Sequence, residues 1–288
     1  MTERTVGGAP SAAAPERVGV IGLGIIGSVW AANYAADGVL AATWNRSPKP
    51  HVPLGVADAA AVARVSSVVH VVVSDPAAVE TVLAAIEPEL RPEQLVIQST
   101  TIDPKSAARF AARVTARGSR YVEAPFMGSR PAAEQRKTVF LEGGDPESIA
   151  RADRVLAHLS SSRRAVGDVA RAASLKLAFN VHVAITMQGL CEALNLARQA
   201  GLADDDFFQV LQPTALWSPF HGMKEPKLRS HDYAPQFSVK HMLKDIRLAT
   251  EIAGDGALPL ARAVREQLTR AASDGLSEQD MAALIEVL

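Results

Sequence analysis

Residues 17–47, RVGVIGLGIIGSVWAANYAADGVLAATWNRS, read as a strand, a glycine turn, a helix and a second strand. Val18–Leu23 is a short apolar run rich in β-branched residues. Gly22, Gly24 and Gly27, with Leu23, Ile25 and Ile26 between them, then fall at the spacing G-x-G-x-x-G where strand gives way to helix. The first glycine permits the tight turn, the second lets backbone approach a pyrophosphate, and the third packs helix on strand. Free N–H groups at the helix start face the phosphate. The helix predicted from Ile25 to about Asp37 stops at Gly38, and Val39–Trp44 supplies the second strand, ending in Asn45-Arg46-Ser47. With all parts in order, the spacing points to a dinucleotide rather than an ordinary strand–helix turn.

A site that prefers NAD carries Asp or Glu at the end of the second strand to accept the ribose 2′-OH, and none stands here. Arg46 can instead make charge-assisted hydrogen bonds to a 2′-phosphate, with Asn45 and Ser47 donating beside it, so the expected cofactor is NADP(H). The bland alternative for Arg46 is a solvated surface arginine.

A chain of 288 residues with 48% hydrophobic content accommodates about two domains with a real core. A net charge of -1 and a pI near 6.7 offer no field for nucleic acid or an anionic membrane. No run of some 18 uninterrupted apolar residues marks a bilayer span, so neither partner is expected. The single cysteine, Cys191, sits in an apolar helical pattern and reads as a buried, inert thiol, consistent with a reducing cytoplasm. No metal site is expected. Residues 1–16 are rich in Ala, Gly and Pro and read as a flexible leader outside the fold.

Beyond the first unit, short apolar strands keep alternating with helices, the pattern of a doubly wound, mainly parallel α/β sheet over 17–166. Strands are expected at Val68–Val73, Leu95–Gln98, Arg120–Ala124 and Thr138–Leu141, with helices near Ala77–Ile86, Pro104–Arg117 and Pro146–His158. Ligands of such sheets bind beyond the carboxyl ends of the strands. The loops Ser74-Asp75-Pro76, Ser99-Thr100-Thr101 and Pro125–Ser129 should therefore converge on the nicotinamide end, unless Ser74 and Asp75 are plain turn formers. Near Gly167 the strand signals stop, and 167–288 reads as an all-α domain for substrate and oligomerisation. It opens with a proline-free stretch, Asp168–Ala200, long enough for one interdomain helix of about 50 Å. Further helices are expected at Asp204–Leu211, Ser238–Ala253, Pro259–Ala272 and Ser277–Val287.

On the long helix, Lys176 and Asn180 lie four residues apart on one face. A lysine among Leu175, Leu177, Ala178 and Phe179 either snorkels to the surface or is held in a cleft. In a cleft, its ammonium can protonate a substrate carbonyl while Asn180 holds the oxygen.

The chain resembles the β-hydroxyacid dehydrogenase family, most closely its glyoxylate and succinic semialdehyde reductase branch. The resemblance rests on GLGIIG followed by WNRS, on TTID at Thr100–Asp103, on EAPFMGSRPAAE at Glu123–Glu134, on AASLKLAFN at Ala172–Asn180 and on KHMLKDIRLA at Lys240–Ala249. It implies a Rossmann domain, an all-helical C-terminal domain, and a homodimer or homotetramer joined through the helices. It also implies that Lys176 is the catalytic lysine, that Asn180 is its paired asparagine, and that Thr101 and Lys244 contact the cofactor.

The departures concern the substrate. The family's A-P-V-S-G-G is Ala124–Ser129, APFMGS, in which Phe126 and Met127 precede Gly128 and Ser129. These four are the expected substrate-binding residues. Losing a hydroxyl and gaining apolar bulk favours a substrate larger or less polar than glyoxylate, although Met127 is equally suited to filling core. Arg136-Lys137-Thr138 replaces a G-T-L turn, and Ala170 replaces a glycine ahead of the catalytic helix. The leading expectation is an NADP(H)-dependent reductase of a small aldehyde or keto acid, or oxidant of the β-hydroxyacid. An imine reductase, which usually carries Asp or Tyr in place of the lysine, is the first alternative, weakly favoured by Phe126, Met127 and Trp217. A non-catalytic dinucleotide-binding assembly protein is the second. The basic cluster Lys224, Lys227, Arg229 and His231 reads as a solvated face, one member of which could pair with a substrate carboxylate.

Overall fold

The computed structural model describes residues 16–254 and 256–288. The expected leader lies outside them except for Glu16, whose carboxylate is held 2.7 Å from Arg151. The first half is a single eight-stranded sheet. Strands β1 (Val18–Ile21), β2 (Leu40–Trp44), β3 (Val68–Val71), β4 (Leu95–Gln98) and β5 (Arg120–Glu123) run parallel in the order β2-β1-β3-β4-β5. Their fully buried Val, Ile and Leu side chains explain the unbroken apolar runs, because helices cover both faces. The sheet is completed by β6 (Phe126–Met127), β7 (Val139–Gly143), antiparallel to β5 and β6, and β8 (Ser162–Gly167), parallel to β7. Strands β6 and β8 are additions to the sequence reading. Ser162–Gly167 has no apolar period and is a strand because β7 offers it a ladder.

The first half's helices α1 to α6 are Gly27–Ala36, Ala59–Val65, Pro76–Ile86, Pro104–Thr115, Arg130–Glu134 and Pro146–Leu156. Helices α2 and α5 were not expected. Helices α3, α4 and α6 each begin with Asp-Pro: Asp75, Asp103 and Asp145 accept from backbone N–H groups of the first turn, and proline at the first helical position loses no hydrogen bond. All the parallel strands end at one edge, so the loops after Ile21, Trp44, Val71, Gln98 and Glu123 open onto the same side. Beneath that edge, the buried His70 bridges Tyr34 and Ser99, accepting from the tyrosine at 3.1 Å and reaching the serine at 2.9 Å. Ser99 donates onward to the Ala124 carbonyl, so its oxygen accepts from His70. Burial holds His70 neutral by lowering its pKa to about 3.

Helix α7 (Val169–Gln199) is the long interdomain helix, with Asp168 as its N-cap. It packs against α4 and β7 on one side and against the helical half on the other. Its length and apolar composition match a bilayer span, yet it serves here as the shared core between the two halves. The helical half adds α8 (Asp204–Leu211), α9 (Pro219–Ser230), α10 (Val239–Ala253) and α11 (Pro259–Ala271). The helix expected at Ser277–Val287 is instead a buried 3-10 run, Met281–Val287, preceded by a break at Gly275 with φ +86°. For Lys224 alone, α9 corrects the reading of a solvated basic face: Lys224 is 1% exposed and pairs with the fully buried Asp280 at 2.7 Å, while Lys227, Arg229 and His231 stay half-buried or exposed.

Candidate active site

The strand-end loops face α7, α9 and α10 across a cavity of about 490 Å³. Every expected site residue lines it except Leu23 and Met127. Leu23 is buried, and its backbone N–H is held by the Asn45 side chain at 2.8 Å, which ties the glycine turn to the end of β2. Met127 is a correction. Neighbouring residues of a strand face opposite ways, and on β6 it is Phe126 that takes the cavity side.

At the glycine end the geometry matches the task of each residue. Gly22 has φ +100°, and a Cβ there would overlap the Val72 carbonyl. A Cβ at Gly27 would overlap the carbonyl of Gly22. Gly24 borders open space on the cavity side, where a pyrophosphate needs room. Arg46 and Ser47 line the cavity at the end of β2, and the one acid in the lining among the described residues is Asp245, on α10 at the opposite end. These residues fit a dinucleotide carrying a 2′-phosphate. They would hold NADP through the glycine turn and Arg46, and that cofactor would supply hydride.

At the other end a continuous network joins both halves. Lys176 donates to Asn180 Oδ1 at 3.0 Å, and Asn180 Nδ2 donates to Asp245 Oδ2 at 2.5 Å. Lys244 meets Asp245 Oδ1 at 2.8 Å and donates to the Thr101 carbonyl, beyond β4, at 2.6 Å. Lys176, Asn180 and Asp245 are 7%, 1% and 1% exposed, which removes the snorkelling alternative for the lysine. Its ammonium lies 5.8 Å from the Phe126 ring centre and 5.4 Å from that of Phe179. Burial lowers the Lys176 pKa to about 8; Asp245 partly opposes the shift and Lys244 adds to it. Thr101 and Lys244, expected at the cofactor, thus touch each other and connect to Lys176.

The network rests on a buried support. Gln98 accepts from the Thr100 N–H and donates to the Thr100 carbonyl, and it also donates to Glu123 at 2.8 Å. Burial raises the Glu123 pKa to about 8. Among the strand-end residues, Ser74 lines the cavity, whereas Asp75 caps α3 and is the turn former of the bland reading.

The sequence reading missed Asp245, Phe220, Met223, Phe237, Met281 and His241. Asp245 and His241 had a signal, lying within the KHMLKD motif on a face of α10 shared with Lys244. The apolar residues had none, because an aromatic or methionine on a helix reads as core.

Residues 17–168 match the family model described as the NAD binding domain of 6-phosphogluconate dehydrogenase. Residues 170–288 match the NAD-binding model of NADP-dependent 3-hydroxyisobutyrate dehydrogenase. Glyoxylate/succinic semialdehyde reductase 1 of Arabidopsis thaliana is 28% identical over 282 residues, covering 94% of this chain and 98% of that protein. Among solved structures, 3-hydroxyisobutyrate dehydrogenase from Salmonella typhimurium superposes with a TM-score of 0.86 at 24% identity, over 95% of this chain and 100% of that one. The reductive aminase from Aspergillus terreus, in complex with NADPH and ethyl levulinate, gives 0.63 at 25% identity, over 95% and 99%.

Proposed function

This chain belongs to the β-hydroxyacid dehydrogenase family of NADP-dependent oxidoreductases, and on that footing we propose that it interconverts an aldehyde or keto acid with its alcohol, Lys176 moving the proton. The observation that carries this is the state of Lys176: a buried ammonium in the cavity, hydrogen-bonded to a neutral amide and not directly to a carboxylate. Its lowered pKa lets it give up a proton near neutral pH, where a general acid is most effective. A carbonyl oxygen that gains charge as hydride reaches its carbon is stabilised by this ammonium and then takes its proton. Asn180 acts by aiming the lysine. Its carbonyl accepts from Lys176 and one amide N–H is given to Asp245, so it positions the acid and keeps its second N–H for the substrate oxygen.

The phenyl groups around Lys176 and the likeness to a reductive aminase favour imine reduction as the second reading. Against it, an iminium is cationic and would be placed beside an ammonium. The non-catalytic reading leaves the buried Lys176–Asn180–Asp245–Lys244 network without a task. Self-association as a dimer or tetramer through the helical half, where Leu196, Val210, Leu216 and Leu260 are exposed, is part of the same proposal. The fully buried, unreactive Cys191 suits a reducing cytoplasm. Supplying NADPH with glyoxylate, succinic semialdehyde, further keto acids and cyclic imines tests the proposal. Oxidation of NADPH with a carbonyl compound is expected. Turnover of imines alone would install the second reading, and no turnover would favour the assembly protein.

A further inference from the structure

The end of the cavity beyond Lys176 is walled by apolar side chains drawn from separate elements: Phe126 on β6, Phe179 on α7, Phe220 and Met223 on α9, Phe237 just before α10, and Met281. Phe179 and Met223 both line the cavity and expose 41% and 36% of their surface. Met223 also contacts the Ser129 hydroxyl at 3.4 Å, so α9 closes against the loop after β6.

The cations of the lining are already matched. Lys224 is neutralised by Asp280, whose other oxygen accepts from the N–H groups of Gln236 and Phe237 at 2.9 and 3.1 Å. Lys244 pairs with Asp245 and the Thr101 carbonyl, and the family resemblance gives it to the cofactor, not to the substrate. His241 is bonded to Ser238 at 2.8 Å, and burial together with Lys244 and Lys240 keeps it neutral. Arg46 stands at the far end of the cavity, after β2. Lys176 alone remains, and its place is at the reacting oxygen. A carboxylate several carbons from the carbonyl would shed its water against phenyl and thioether groups and meet no cation.

We infer that the substrate is a carbonyl compound with an apolar alkyl or aryl tail, and that Met223 and its neighbours on α9 select against a terminal carboxylate. This rests on the reading of Lys176 as the site of carbonyl reduction. Each methylene buried in such a wall favours binding by about fourfold, and pocket discrimination of this kind reaches about 10- to 200-fold.

The test is kcat/KM of the full chain with saturating NADPH for succinic semialdehyde and for 4-methylpentanal, which sets an isopropyl group where the former carries its carboxylate. The expected result is a preference of about 10-fold or more for 4-methylpentanal. Met223→Lys, at a partly exposed position, should swing the ratio about 10-fold toward succinic semialdehyde, whereas Met223→Leu should keep it. The wild-type ratio decides the matter even if the lysine variant fails to fold. Equal or better use of succinic semialdehyde overturns the inference while leaving the reading of Lys176 standing. If NADPH binds and neither aldehyde is reduced, that reading falls and the inference falls with it.

Discussion

At the glycine end of the cavity the backbone does the recognising. Gly22, Gly24 and Gly27 act by lacking a side chain, and Arg46 adds one charge at the end of β2. At the lysine end side chains dominate: α7, α9, α10 and the strand-end loops contribute groups brought together over long stretches of chain. A ligand common to many enzymes needs only the first kind of site, which is local in sequence. Selecting one substrate needs the second, which is global. The two ends should therefore fail independently when altered.

Removing Lys176 is the strongest way to test that independence. Lys176→Ala is expected to lower kcat by about 10² to 10⁴ while weakening NADPH by no more than about a few-fold, measured by turnover and by fluorescence titration. A parallel loss of NADPH affinity would mean that the ends form one unit. The converse change, Arg46→Ala, should weaken NADPH by roughly 10-fold or more, from the loss of about 1.5–3 kcal/mol of charge-assisted bonding, and leave NADH nearly unchanged. Equal weakening of both cofactors would break the assignment of the 2′-phosphate to Arg46.

A finer test lies in pH. Reduction needs Lys176 protonated, so kcat/KM for NADPH should fall about tenfold per unit as pH rises above about 8, with the break in kcat displaced upward by the bound dinucleotide. A limb that persists in Lys176→Ala would belong to another group.

The smallest effect expected is on the platform beneath both ends. Burial raises the pKa of Glu123 from 4.5 to about 8, so the stability it contributes is fully present below 4.5 and is lost as pH rises through 8. Glu123→Gln should flatten the decline of melting temperature between pH 5 and 8 by a few degrees, without changing the NADPH-to-NADH preference. An unchanged slope would show that Glu123 already ionises in the native protein.

How much of this was legible follows from the same contrast. The glycine turn, Arg46 and the Lys176–Asn180 pair sit within short windows, so their spacing could be read, each beside a bland alternative. Lys224 and Asp280 lie 56 residues apart, and a buried lysine is written with the same letter as a solvated one, so Lys-Glu-Pro-Lys reads as surface. Met127 could not be told from Phe126 by type alone, because which of two adjacent strand residues faces the cavity depends on how β6 meets β7. Arg136 shows the reverse. Where the family writes glycine, it adopts φ +56°, and its guanidinium grips Asp37 at 2.6 and 2.9 Å, a contact that offsets a backbone conformation glycine would adopt freely.

The bond from Lys244 to the Thr101 carbonyl has a thermodynamic consequence. Lys244 disfavours charge on Lys176, and it stands where the family resemblance places the cofactor. An anionic dinucleotide that engages Lys244 offsets that repulsion, so its arrival raises the proton affinity of Lys176, and by reciprocity protonation tightens the dinucleotide. NADPH binding near pH 8 should then draw a fraction of a proton from solution. Calorimetry in two buffers of different ionisation heat would register that uptake directly, and because each reduction consumes the Lys176 proton, a further proton must come from solvent before the next turnover.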